Sequence, residues 1–168
     1  RWRKSALEEI VFEALKRQIE IVRVESAAIR KTAKSKGESL ERQLVLLKAQ
    51  YDACDREKFT IYENYREGKL TPEEYLSGKE ALAQKQAALK EQLETYETQL
   101  EVFHQQSLNA EEQHEAASRM TGLSDDKLRE HLYDAVERVL VYDTETIEIV
   151  WKFNEAKIDT DENIGVAN

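Results

Sequence analysis

The stretch Tyr65-Arg-Glu-Gly-Lys-Leu-Thr-Pro-Glu-Glu-Tyr75 predicts the end of one helix followed at once by the start of another. Gly68 can adopt the left-handed conformation that ends many helices, because it has no Cβ to clash with the backbone. Thr71 and Glu74 have the spacing of a capping box, and Pro72 stands at the first helical position, where no N–H is needed. We therefore interpret this stretch as the turn of a helical hairpin.

On both sides of this turn, the seam residues recur at alternating steps of four and three. The two series are Leu40, Leu44, Leu47, Tyr51, Cys54, Lys58, Ile61 and Tyr65, and then Tyr75, Lys79, Leu82, Gln86, Leu89, Leu93, Tyr96, Leu100 and Phe103. Such steps are typical of coiled coils. They predict an antiparallel coiled-coil arm over residues 37–118, with its tip at 66–75. The polar members Lys58, Lys79 and Gln86 are expected to fix the register of the two helices.

Residues 1–36 are expected to form a base helix with a broader apolar face. The residues of this face recur at helical spacing, and together they form a stripe that is wider than a coiled-coil seam. They are Leu7, Ile10, Val11, Ala14, Leu15, Gln18, Ile19 and Val22. Ser5, with Glu8 three residues later, predicts the N-cap. Gly37 either breaks this helix or lies within it at a cost of about 1 kcal/mol, and the sequence leaves both alternatives open.

The segment 119–154 predicts a short helix followed by a two-stranded β-hairpin. A capped helix is expected over 124–137. The apolar period then changes to two, which predicts strands over 139–142 and 146–153. Because a two-stranded hairpin alone is marginal in water, its Trp151 face should pack on the first helix and on the short helix.

Together these segments predict a mainly α fold, in which a long antiparallel coiled-coil hairpin projects from a small α+β base that carries the C-terminal β-hairpin. The polar, acidic segment 155–168 is expected to be disordered. With 5 Gly, 1 Pro and 35% charged residues in 168, the composition is typical of long helices with little loop. No apolar run has the length of a membrane span, and we expect a cytoplasmic protein that does not contact membranes.

The net charge of −9 is unevenly distributed. Residues 1–36 hold ten Lys and Arg against five Asp and Glu, a charge of +5, and the remainder has a charge of −14. An acidic surface binds phosphate poorly, so any DNA contact is expected to be weak and to lie in the basic part. The candidate DNA-contacting residues are Arg30, Lys31, Lys34 and Lys36.

No glycine-rich phosphate loop or nucleophile motif is present, and we expect no catalytic, cofactor or metal site in this chain. His114 and Glu111 share a helix face near His104, but no cluster of further ligands completes a metal site. Cys54 is the only cysteine. It occupies a seam position, where a small buried hydrophobic side chain is more common than a nucleophile.

The tip is the one place where the sequence suggests a contact surface. It carries Tyr62, Tyr65 and Tyr75, with Leu70 placed to pack against Tyr75 as a hydrophobic staple. Tyrosine is enriched in protein interfaces, so these four residues are the candidate partner contact. The alternative is that Tyr65 and Tyr75 only complete the seam.

Three motifs resemble the coiled-coil region of the large serine recombinases, or serine integrases. The tip reads Tyr62-Glu-Asn-Tyr65-Arg-Glu-Gly68-Lys-Leu70-Thr-Pro-Glu-Glu74-Tyr75, and the hairpin reads Arg138-Val-Leu-Val-Tyr142 and then Ile147-Glu-Ile-Val-Trp151-Lys-Phe153. The opening Leu7-Glu-Glu-Ile-Val11 resembles the segment that follows the zinc ribbon in that family. The resemblance covers residues 5–155.

The resemblance implies a non-catalytic regulatory module of a phage or mobile-element recombinase in a bacterial cell. The serine catalytic domain, the recombinase domain and the zinc-binding cysteines would lie outside this chain. In that family the arm contacts other recombinase subunits, controls the pairing of DNA sites and responds to a recombination directionality factor, while DNA is bound mainly by the other domains. The rival interpretation is a structural coiled-coil scaffold or a tethered arm of an unrelated protein, for which we expect a continuous rod without a β-hairpin.

Overall fold

The computed structural model describes residues 2–152, which form four helices and two strands. The elements in chain order are α1 (Lys4–Arg66), α2 (Pro72–Thr121), α3 (Asp125–Glu130), α4 (Leu132–Ala135), β1 (Val136–Val141) and β2 (Ile147–Trp151). The predicted mainly α class, with two long paired helices and a C-terminal two-stranded antiparallel sheet, is confirmed. Phe153 and the tail predicted over 155–168 lie outside the described residues.

The chain divides into two compact units, and each of the long helices α1 and α2 contributes residues to both. The base unit comprises residues 2–26 and 113–152 of the described chain, and the arm unit comprises residues 27–112. The two units bury their apolar residues in different ways.

The base unit has a core to which five elements contribute. The buried cluster contains Val11, Phe12, Leu15, Ile19, Val22, Ala117, Leu128, Leu132, Ala135 and Trp151. Phe12 and Leu15 are fully buried, and Trp151 of β2 packs in the same cluster, as the sequence predicted. Complete burial of one large apolar side chain contributes about 1.5–3 kcal/mol, so this cluster is the main source of stability in the base unit.

The start of α1 differs from the expected N-cap. The helix begins at Lys4, and the N–H of Leu7 donates to the carbonyl of Arg3 at 3.0 Å. Ser5 therefore lies within the first turn instead of preceding it, and the expected cap at Ser5 is wrong. Further along α1, the hydroxyl of the buried Ser26 donates to the carbonyl of Arg23 at 3.2 Å.

The expected single helix over 124–137 is also wrong, although its N-cap is confirmed. The N–H of Lys127 donates to Ser124 Oγ at 3.4 Å, and helix α3 follows. Helix α4 ends at Ala135, and Val136 already pairs with Trp151 in the sheet. Pairing with a buried partner fifteen positions later therefore overrides the helical pattern at this point.

The β-hairpin is antiparallel, and it has an irregularity in register between Val136 and Arg138. Its turn is closed by Asp143, whose Oδ1 accepts from the N–H groups of Glu145 and Thr146, both at 2.7 Å. These two backbone hydrogen bonds favour the ionised carboxylate and lower the pKa of Asp143 from its ordinary value of 3.8. The turn is therefore strongest when Asp143 is charged.

In the arm unit, α1 and α2 pack antiparallel. Tyr65 stacks on Tyr75 near the turn, and Lys58 contacts Gln86 further along. Helix α1 continues through Gly37 without a break, which decides between the two alternatives. A Cβ added at Gly37 would lie 3.6 Å from Leu100 Cδ1, an ordinary contact distance, so the helix does not require glycine here.

The seam of the arm unit is narrow. Its buried hydrophobic residues are Ala33, Cys54, Leu82, Leu89 and Ala110. Lys79, expected on the seam, is exposed, because Gly78 instead faces Ile61, whose Cδ1 would lie 3.6 Å from an added Cβ. Of the three polar residues expected to fix the register, Lys58 and Gln86 contact each other across the helices.

Candidate functional site

The turn between α1 and α2 ends the first helix as the sequence predicted. Gly68 has a φ of 76°, in the left-handed region. Its N–H donates to the carbonyl of Tyr65 at 3.0 Å, and the N–H of Lys69 donates to the carbonyl of Asn64 at 2.8 Å. This pair of bonds is the Schellman motif, which satisfies carbonyls that the helix end would otherwise leave without partners.

The capping box at the start of α2 is also confirmed. The N–H of Glu74 donates to Thr71 Oγ1 at 3.1 Å, and the N–H of Thr71 donates to Glu74 Oε2 at 2.8 Å. Pro72 is the first residue of the helix. Both helix ends are therefore fixed by local hydrogen bonds.

Tyr75 is the centre of an aromatic cluster at this turn. Its ring stacks on Tyr65 with centroids 4.7 Å apart, and it meets Tyr62 edge to face at 6.4 Å. Tyr75 and Leu70 are half-buried, whereas Tyr65 is 38% and Tyr62 46% exposed. Tyr65 and Tyr75 thus extend the seam to the turn, and Tyr62 keeps much of its surface in solvent. A partner contact by these four residues stays a prediction.

Two exposed apolar residues beside this cluster were not singled out in the sequence. Phe59 is 66% and Leu76 is 62% exposed. Phe59 and Tyr62 are three positions apart on α1 and are therefore neighbours on one helix face. Tyr62 and Leu76 each directly follow a seam residue, and in an antiparallel pair such positions flank the same side of the seam. We call Phe59, Tyr62 and Leu76 the tip patch.

The signal for the tip patch was present in the sequence. Phe59 and Leu76 are large apolar residues that lie off the four-three stepping. Packing between the two helices does not require large apolar side chains outside the seam. Where several such side chains are exposed next to one another, they form an apolar surface of the kind found at interaction sites.

A polar layer interrupts the seam at Lys58, seven residues and about two helical turns before Tyr65. Gln86 accepts from Lys58 through Oε1, and its Nε2 donates to Asp55 Oδ1 at 3.0 Å and to the carbonyl of Tyr51 at 3.4 Å. Asp55 and Lys58 also form an ion pair at 3.8 Å. A half-buried layer with matched donors and acceptors favours one register of the helices, since a shift would separate these groups.

The basic residues proposed for DNA contact do not form one free cationic surface. Arg30 forms an ion pair with Glu111 at 3.2 Å, and the Lys36 ammonium lies 5.5 Å from the centroid of the Phe103 ring. Lys31 and Lys34 are exposed. Two of the four candidate residues therefore have partners within the arm unit, and DNA binding by this group stays a prediction.

The structure defines the surroundings of His114 and Cys54. His114 Nδ1 lies 3.0 Å from the carbonyl of Arg23, which can only accept, so the ring nitrogen carries the proton in this contact. Cys54 is fully buried. Within residues 2–152, no group of three or more His, Cys, Asp or Glu residues is placed to hold a metal ion. None of the helices in that part of the chain is long and apolar enough to cross a membrane.

Comparison with protein-family models, with curated proteins and with solved structures finds no match to this chain. The resemblance to large serine recombinases therefore depends on the three sequence motifs alone.

Proposed function

We propose that this chain is the coiled-coil region of a large serine recombinase, together with the flanking part of its zinc-ribbon domain. It acts as a non-catalytic regulatory module in which the arm contacts other recombinase subunits. These contacts control synapsis, the pairing of two DNA sites, and the direction of recombination.

The tip patch is the observation that supports this proposal most directly. Phe59, Tyr62 and Leu76 expose between 46% and 66% of their surface beside a rigidly capped turn. Aromatic and large aliphatic side chains held on a rigid element bind partners with little loss of conformational entropy. A capped turn with an apolar flank is therefore well suited to dock on another protein subunit.

The remaining parts of the proposal follow from the resemblance of the three sequence motifs to large serine recombinases. DNA is bound mainly by the other domains of the recombinase, which fits the charge of −14 over residues 37–168. Zinc is held by cysteines of those domains, since this chain has one cysteine. The module works in the bacterial cytoplasm, and a recombination directionality factor is its second partner.

The test is the triple replacement Phe59→Ser, Tyr62→Ser and Leu76→Ser in the full-length recombinase. DNA binding by a gel shift of one attachment site should stay within about twofold of wild type. Formation of the two-site synaptic complex should fall more than about tenfold, since central interface residues typically contribute 2 kcal/mol or more. Tyr62→Ala with Leu70→Ala should give the same pattern if the predicted tip contact includes Leu70.

The matched control is Val45→Ser, which removes an apolar side chain that is 68% exposed on the same helix. It should leave both assays unchanged. Equal losses of DNA binding and synapsis in the triple variant, or normal synapsis, would contradict the proposed role of the tip.

The scaffold alternative predicts a different quaternary state. A parallel coiled-coil dimer would place equivalent residues of two chains side by side, whereas α1 and α2 here pack on each other within one chain. Light scattering with circular dichroism distinguishes the two: a stable parallel dimer without a β-hairpin would favour the scaffold.

A further inference from the structure

A groove of about 340 Å³ lies in the base unit. Its apolar lining comes from three elements: Leu7 and Val11 of α1, Leu132 of α4, and Val136 and Val139 of β1. No residue of β2 lines it. β2 pairs with one edge of β1, and the groove, which β1 lines and β2 does not, lies toward the other edge of that strand.

Among residues 2–152 no strand other than β2 pairs with β1, so within that range the backbone groups at this edge have no strand partner. The N–H of Tyr142 donates to the carbonyl of Thr146 at 3.1 Å, so the backbone of Tyr142 points toward β2. Backbone groups alternate in direction along an antiparallel strand. Val139 and Val141, which face Ile149 and Ile147, therefore point their N–H and C=O groups away from β2 and toward the groove side.

This edge lacks most of the features that protect a strand from pairing. Val141 is 47% exposed, and Leu140 next to it is 36% exposed. The bulge between Val136 and Arg138 limits pairing to the residues that follow it. An exposed apolar edge with free backbone groups is a template for one more strand.

The charges around the edge indicate what kind of strand fits. The hairpin over 136–151 carries four carboxylates and one arginine. Glu8 and Glu137 stand at the rim of the groove itself, with Lys4 as the basic residue there. The negative charges attract a cationic segment. In a dimer through this edge, the carboxylates of one copy would instead face the same carboxylates of the other copy and repel them.

We propose that the free edge of β1 and its groove bind an extended segment of a different protein, apolar at alternate positions with lysine or arginine between them. The segment adds a third strand by bonding to Val139 and Val141. Every second side chain of the segment faces the groove, and the cationic side chains between them face the carboxylates. This inference does not depend on the proposed recombinase function.

The first test uses the 168-residue chain and a synthetic peptide, Val-Lys-Val-Lys-Val-Lys-Val, with blocked ends. Amide hydrogen exchange followed by NMR reports each backbone N–H separately. In the chain alone, Val139 and Val141 should exchange faster than Leu140 and Tyr142. Addition of the peptide should slow the exchange of Val139 and Val141 at least about tenfold and leave the amides that already face β2 unchanged, because only the free edge gains hydrogen bonds.

The second test is the substitution Val141→Pro. Proline removes the outward N–H without removing a bond to β2, so the hairpin should keep its near-native circular dichroism while peptide affinity falls about tenfold. The matched control Val141→Thr keeps the N–H and the branched shape and should bind as wild type does. A peptide with the same residues in blocks, Val-Val-Val-Val-Lys-Lys-Lys, should bind at least tenfold more weakly.

Four results would overturn the inference: no protection of Val139 and Val141, equal binding of the block peptide, unchanged affinity in Val141→Pro, or a dimer of the chain that Val141→Pro dissociates. The last result would show that a second copy occupies the edge.

Discussion

The base unit and the arm unit share the two long helices, yet they are stabilised in different ways. In the base unit, residues from both long helices, both short helices and the sheet surround Phe12 and Leu15, which are 1% and 0% exposed. In the arm unit, residues 27–112 meet along one narrow seam, where the largest buried side chains, Leu82 and Leu89, keep 9% and 7% of their surface. The base unit therefore depends on a core, and the arm unit depends more on its turn, caps and register.

This difference shows why one helix can serve two purposes. In proteins, packing of an apolar face supplies most of the stability of a helix, and the intrinsic helix propensity of its residues supplies less. Over residues 4–26, α1 buries a broad face, whereas over 27–66 it buries only a stripe and leaves Val45 and Phe59 exposed. The arm unit thus has surface available for partners at the expense of stability.

The largest expected effect comes from the substitution Leu15→Ala in the base unit. It removes a fully buried side chain and leaves a cavity, so the free energy of unfolding should fall by about 2–5 kcal/mol. Urea denaturation followed by tryptophan fluorescence measures this, since Trp151 is buried in the same cluster. The control Leu46→Ala, at a residue 64% exposed in the arm unit, should change stability by less than about 0.5 kcal/mol. A similar loss in both variants would contradict the comparison.

The substitution Gly68→Val should have the next largest effect, in the arm unit. No atom lies within 4 Å of a Cβ at this position, so the penalty is the backbone strain of a branched residue at a φ of 76°. Such strain costs about 1–3 kcal/mol. The control Gly37→Ala, within the helix, should be neutral or stabilising by up to about 1 kcal/mol. Circular dichroism at 222 nm during urea titration distinguishes the two, and equal effects would disprove a special role for the turn.

The substitution Thr71→Ala removes one half of the capping box. The N–H of Glu74 loses its acceptor, and a lost N-cap typically costs about 1 kcal/mol. Thr98→Ala is the matched control, because Thr98 Oγ1 donates to the carbonyl of Glu94 in the middle of the same helix. That variant should be nearly neutral in thermal denaturation. An unchanged melting temperature for Thr71→Ala would show that the cap contributes little to the arm unit.

The smallest expected effect is a pH dependence in the hairpin turn of the base unit. The pKa of Asp143 is lowered by the N–H groups of Glu145 and Thr146, so the charged carboxylate stabilises the folded turn. This contribution is fully present above the unfolded value of about 3.8 and is lost as the pH falls through the lower folded value. NMR shifts of the turn amides between pH 5 and pH 2 measure it. In Asp143→Asn the amide oxygen still accepts but does not titrate, so persistence of the same pH dependence would exclude Asp143 as its cause.

The turn was predictable because its determinants lie within a few residues of one another. Gly68, Thr71, Pro72 and Glu74 each act on the nearest backbone groups, and the structure places each as the sequence indicated. The seam was predictable from its stepping, except at Lys79, where Gly78 faces the partner helix instead. Close to a turn, the path of the chain decides which of two adjacent residues points inward.

The features that the sequence did not reveal depend on residues far apart in the chain. Val136 leaves the helical pattern because it pairs with Trp151, and Arg30 has an ion-pair partner in Glu111, 81 positions away. The candidate site shows the same limit. Spacing placed Tyr62, Tyr65 and Tyr75 at the turn, but only the packing of the rings distinguishes the stacked pair from the more exposed Tyr62.

The burial of Cys54 gives the arm unit a built-in reporter of opening. It is the only thiol in the chain and is fully buried between the two helices. A thiol-specific reagent can modify it only when the helices separate. At reagent concentrations where labelling is slower than reclosing, the ratio of its labelling rate to that of an exposed thiol equals the fraction of time that the seam is open. A partner that binds only the closed arm should slow the labelling of Cys54 in proportion to the fraction of chains that it occupies. The labelling rate of this thiol therefore measures binding without a label on the partner.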